Sequence, residues 1–167
     1  MMVAGETVNS FFGCSMTQVD LLRFIPFRLN RLAAEVSRDL AAVYAEQFGI
    51  DITEWRVLAT LGMGEPRSAQ FIVRCTRTHK SKISRAVTRL ALAGLIEGGP
   101  NSDNRRETQL RMTPKGRALY EQLAPIVLGY EQRLLSGLSK RELQGLVQGL
   151  DKLEQVLGLI QNPDECP

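Results

Sequence analysis

Apolar residues recur every three to four positions from about Leu21 to Phe48. Leu29, Leu32, Ala33, Val36, Leu40, Val43 and Phe48 trace one side of a helix, with Gly49 as its stop. Pro26 is either a first-turn residue or the site of a kink. A second helix is expected after Thr53, an N-cap candidate, running through Trp55, Val57, Leu58 and Leu61 to Gly62. The turn GMGEP follows, Ser68 opens a short helix ending near Cys75, and another helix spans roughly Lys80 to Ala93 before Gly94. The period then changes: LIEGG and ETQLRMT, joined by PNSDNRR, predict a β-hairpin. Thr113-Pro114 sets a hydroxyl cap before a first-turn proline, so a helix should run from Lys115 to about Leu135, kinked at Pro125. Ser139-Lys140-Arg141-Glu142 has the spacing of a capping box. Beyond it, Leu143, Leu146, Val147, Leu150, Leu153, Val156, Leu157 and Ile160 form a sustained apolar stripe.

The predicted fold is mainly α with a small β-hairpin. Its middle, helix–turn–helix–hairpin, is a winged helix-turn-helix lobe, and the outer helices form a helical region around it. At 167 residues the chain is long enough for one real core, and its 44% apolar and 23% charged residues are those of a globular protein. The net charge of +3 says little by itself, but its distribution says more. Between Pro66 and Ile96 stand seven bases and no Asp or Glu, whereas after Gly129 six acids face four bases. A local cationic surface on a near-neutral chain suits a polyanion.

Cysteine and histidine usage narrows the classes further. Cys14, Cys75 and Cys166 have no CxxC spacing, so neither a disulfide framework nor a zinc site is indicated. One histidine, no Gly-rich phosphate loop and no nucleophile motif leave nothing to carry catalysis; no enzyme activity, metal or cofactor is expected. No apolar run approaches the ~18 residues of a membrane span. Residues 1–19 lack the basic and apolar parts of a leader around Phe12-Gly13-Cys14 and are expected to be a flexible arm, in a cytoplasmic protein.

The helix from Lys80 carries the chemistry. Ile83, Ala86, Val87 and Leu90 share one face and should pack on the short helix before it. Ser81, Lys82, Ser84, Arg85, Thr88 and Arg89 fill the remaining arc. Short hydroxyls between long cations allow close approach to a DNA groove while Lys and Arg reach phosphates or guanine edges. A solvated face would usually mix charge signs for pairing along the helix, and this one does not. In the hairpin, Asp103-Asn104-Arg105-Arg106 sits at or near the tip, where an arginine can enter the minor groove and a carboxylate can pin a guanidinium. A plain surface turn with a weak ion pair is the alternative.

ITEWRVLATLG (52–62), KSKISRAVTRLALAGLIE (80–97) and SDNRRETQLRMTPKGRALYEQLAP (102–125) together resemble the MarR family of bacterial winged-helix regulators, over about residues 25–155. The resemblance implies a homodimer joined by terminal helices (20–50 and 117–161), whose two winged lobes (51–116) read a palindromic operator in double-stranded DNA. Carried over by position, it places Lys80, Ser81, Lys82, Ser84, Arg85 and Arg89 at the DNA, with Asp103 bracing the wing and Arg105 or Arg106 inserting. His79 stands where many relatives have an acid; it is either a further DNA contact or a pocket or core histidine, and Thr78 is then the candidate cap.

The resemblance also implies a small-molecule effector between the dimerisation helices and the DNA lobe. Phe24, Phe27, Arg28 and Arg31 on the first helix and Trp55 on the second are candidate linings. Arginine beside aromatics suits an aromatic carboxylate or its thioester, so the expected regulator is a repressor of a catabolic or efflux operon relieved by such a ligand. Each of these residues taken singly also fits a core or ion-pair role. Two other readings remain at this point: a redox sensor acting through Cys14, and a helical adaptor that binds protein instead of DNA. The adaptor leaves the acid-free stretch from 66 to 96 without a purpose.

Overall fold

A computed structural model describes residues 19–100 and 108–159. The predicted arm with Cys14, the hairpin tip with Asp103, Arg105 and Arg106, and Ile160 and Cys166 lie outside the described residues. The chain divides into two units, residues 1–39 and 40–167.

In the first unit, Asp20 organises the approach to α1 (Ile25–Phe48). Its Oδ1 accepts from Leu22 N at 3.1 Å, its carbonyl accepts from Phe24 N at 2.9 Å, and its carboxylate pairs with Arg23. Helix α1 thus starts later than the apolar period suggested, and Pro26 falls in its first turn, where no helical partner is lost.

The second unit holds the core. The end of α1 supplies buried Tyr44, and Gly49 turns the chain at φ 64°. Helix α2 (Ile52–Gly62) is capped by Asp51 and not by Thr53. The Asp51 carboxylate accepts from Thr53 N and Glu54 N, and Glu54 returns the bond to Asp51 N at 2.6 Å. Val57, Leu58 and Leu61 of α2 are buried against Ile72, Ile83, Leu90, Leu110 and Leu123. Helix α3 (Ala69–Thr76) begins at the Ser68 cap, as expected.

The hairpin strands are β2 (Ile96–Pro100) and β3 (Thr108–Met112), antiparallel from Ile96↔Met112 to Pro100↔Thr108. A short β1 (Arg67–Ser68) adds to the other side of β3, giving a three-stranded sheet ordered β1-β3-β2. That third strand was absent from the expectation. Glu65 ties the same region together: it accepts from Met112 N and pairs with Arg117.

Helix α5 (Pro114–Leu135) runs through Pro125, and α6 (Lys140–Val156) starts with the Ser139–Glu142 capping box. The start of α5 is bolted to the end of α4 (Lys80–Leu92). Thr113 N and Oγ1 donate to the carbonyls of Leu95 and Gly94, and Lys115 Nζ donates to Ala93 O at 2.8 Å. The approach is so close that a Cβ at Gly116 would stand 1.9 Å from the Leu95 carbonyl oxygen. These bonds fix the hairpin beside α4. Among the described residues no helix is long and apolar enough to cross a membrane.

Candidate nucleic-acid interface

Helix α4 rests on α2, α3 and β2. Ile83, Ala86 and Leu90 are buried and Val87 is partly so, which accounts for the apolar face. His79, Lys80, Ser81, Lys82, Ser84, Arg85, Thr88 and Arg89 are all exposed. The lobe therefore holds the cationic arc outward, with the wing next to it.

The polar residues on this arc are not equivalent. His79, not Thr78, is the N-cap: its Nδ1 accepts from Ser81 N at 3.2 Å and lies 2.8 Å from Ser81 Oγ. An accepting Nδ1 goes with a proton on Nε2. Thr78 instead takes a bond from Arg56. The side chains of Lys80 and Lys82 have no hydrogen-bond or ion-pair partner among the described residues. Arg85 is steered along the helix by Nε donating to Ser81 O at 3.3 Å, and Thr88 Oγ1 returns to Ser84 O. Arg89 differs, since its Nε lies 3.0 Å from Glu54 Oε1 and its Nη1 3.3 Å from Asp51 Oδ2. Asp51 and Glu54 are contributors that the charge pattern alone did not reveal. The spacing Asp51-x-x-Glu54 announces a capping box, but not that an arginine from another helix joins it.

The residues expected to meet an effector occupy both units. Phe24 falls just before α1 and not on it as expected; it is exposed, as are Arg28 and Arg31 on α1, while Phe27 is half-buried, with the Arg31 guanidinium 5.8 Å from the Phe27 ring centre. In the second unit Trp55 lies between two tyrosines, its ring centre 5.8 Å from each of Tyr44 and Tyr120, stacked on the latter. Burial pushes the Tyr44 phenol up to about 12, against a smaller opposing pull from Arg56. Cys75 is partly buried on α3. No group of three or more His, Cys, Asp or Glu among the described residues could hold a metal ion.

Residues 48–107, from the end of α1 into the hairpin, match the model of the MarR family. Over that segment, 60 of its 167 residues, the chain is similar to the MarR family. It is 32% identical over 99 residues to the HTH-type transcriptional regulator YhjH of Bacillus subtilis, covering 59% of this chain and 57% of YhjH. It is 27% identical over 106 residues to the HTH-type transcriptional repressor IacR of Pseudomonas putida, covering 64% of each. The chain thus aligns with less than two thirds of either relative. Among solved structures, a MarR/EmrR family transcriptional regulator from Acinetobacter sp. ADP1 superposes with a TM-score of 0.77 at 27% identity. That likeness covers 84% of this chain and 99% of the other, so the MarR fold extends well beyond the matched lobe.

Proposed function

We propose that this chain is a MarR-type DNA-binding transcriptional regulator that works as a homodimer. The observation that carries it is α4, whose exposed arc bears Lys80, Lys82 and Arg85 with no carboxylate of its own, beside a β-wing. Hydroxyls of Ser81, Ser84 and Thr88 keep that surface shallow enough for the major groove, while Arg105 or Arg106 enters the flanking minor groove and Asp103 braces the wing. Two lobes related by two-fold symmetry would need their α4 helices ~34 Å apart, one turn of duplex. Support for pairing comes from α6, which buries none of its residues and leaves Leu146, Leu150 and Leu153 exposed. Exposed Leu29 and Leu32 on α1 have the same character.

The test is duplex binding followed by fluorescence anisotropy while salt is raised. Three cations on each of two lobes should give a slope of log K against log salt of about −5, from roughly 0.9 counterions released per phosphate neutralised. Binding that ignores salt, or its absence on operator-selected duplexes, would refute the proposal.

For the effector we propose a small aromatic acid or its thioester that relieves repression of a catabolic or efflux operon. Support lies in exposed Arg28 and in the Arg31 guanidinium set against the Phe27 ring on α1, a combination able to bind a carboxylate and stack on an aromatic. Ligand binding need favour the non-binding spacing of the lobes by only about 1–3 kcal/mol. Phenolic acids that change neither melting temperature nor duplex affinity would remove this ligand class.

A further inference from the structure

We infer that Arg89 is a positioning residue for DNA binding, holding α4 at its working angle by gripping the α2 capping box, and does not itself contact DNA. The inference rests on the DNA-binding reading above. Its basis is how two carboxylates divide their oxygens. Asp51 Oδ1 accepts from Thr53 N at 2.7 Å and Glu54 N at 2.9 Å, which leaves Oδ2 for Arg89. Glu54 Oε2 accepts from Asp51 N, which leaves Oε1 for Arg89. One guanidinium group thus meets the free oxygen of both carboxylates of the capping box.

Burial decides which partner Arg89 keeps. The Glu54 side chain is only 4% exposed, so its charge needs a counter-charge at hand. Swinging Arg89 out to a phosphate would strand that carboxylate, the costly half of breaking such a pair. Lys80 and Lys82 have no comparable tie. Arg89 also sits nine residues from Lys80, about 13 Å along the helix. Slack at this anchor is therefore magnified at the end that enters the groove. A single arginine that looks like a DNA contact in the sequence instead sets the direction of the residues that are.

The experiment compares duplex binding of the full-length native chain, K82Q, R89Q, E54Q, R89K and the double variant E54Q/R89Q across a salt series. K82Q should flatten the salt slope by about one per lobe, as loss of a phosphate contact does. R89Q should weaken binding about tenfold with the slope unchanged. E54Q should weaken it in the same direction, and the double variant, which leaves no unpaired buried charge, should be no worse than either single change. R89K should rescue poorly, since an ammonium cannot span both carboxylates. The inference is overturned if R89Q flattens the slope as K82Q does, or if E54Q leaves affinity unchanged or raises it. Native chain that shows no salt-dependent duplex binding would instead bring down the DNA-binding reading, and this inference with it.

Discussion

Helices α2 and α6 begin in the same way and end in opposite surroundings. Each opens with a complete capping box, Asp51–Glu54 in one and Ser139–Glu142 in the other, and each carries an apolar stripe at helical spacing. Yet α2 buries Val57, Leu58 and Leu61, while α6 buries nothing and exposes Val156 to 83%. Local sequence makes a helix in both cases. What differs is whether the rest of the chain supplies the opposing surface. For α2 it does, through α3, α4, α5 and β3. For α6 a second copy is the occupant we propose.

Truncation separates the two most sharply. Leu58→Ala should destabilise the winged lobe by about 2–5 kcal/mol, because Leu58 is fully buried and its cavity cannot collapse against several elements at once. Urea unfolding of the chain measures it. Leu150→Glu should leave the isolated lobe folded but abolish self-association, seen by sedimentation across a concentration series and by loss of the concentration dependence of Tm. A Leu150→Glu chain that remains dimeric would mean that α6 is not the contact, and the comparison would lose its second half.

Alkaline pH strains the buried side through Tyr44. Tyr44 packs beside Trp55, and its phenol ionises at about 12 in the folded chain against 10.0 when exposed. A raised folded value means that stability is complete below about pH 10 and is lost as pH rises towards 12, because the unfolded chain releases this proton first. The loss amounts to roughly 2–3 kcal/mol. Trp55 fluorescence during unfolding at pH 9 and pH 11.5 should show it, and Tyr44→Phe should flatten the difference. Helix α6 contains no tyrosine and gives no such signal.

The same contrast explains what could be read from residues alone. Periodicity and caps placed the helices and the hairpin, because those signals act within a few positions. The α4 arc was legible because one face of a helix is decided by spacing, and its buried residues are the ones expected. The cap of α2 was misplaced on Thr53, a hydroxyl before an apolar run, although Asp51 and Glu54 have the spacing of a capping box. Strand β1 is two residues long and pairs with Leu110 and Gln109 of β3, so nothing local announces it. Arg89 meets Asp51 and Glu54 across more than thirty residues of chain, a pairing that its charge alone does not announce. Likewise, the stripe on α6 indicated a face to be covered but not that this chain leaves it open.

The smallest effects lie in the two capping boxes themselves. Ser139→Ala removes the acceptor for Glu142 N and should cost about 1 kcal/mol. Asp51→Ala should cost more, towards about 2 kcal/mol, since it takes away the cap and one of the two carboxylates that hold Arg89. Acid probes the Ser139 box in a second way. The Ser139 hydroxyl and backbone N–H both donate to Glu142 and hold its carboxyl below the ordinary 4.5. A lowered folded value contributes stability that is present above the unfolded value and disappears as pH falls through the folded one. Circular dichroism from pH 6 to pH 3 should therefore show α6 fraying from its N-terminus, with Glu142→Gln removing that pH dependence. If helicity falls equally in the native chain and in Glu142→Gln, the acid-sensitive element lies elsewhere, and the box at Ser139 contributes geometry without charge.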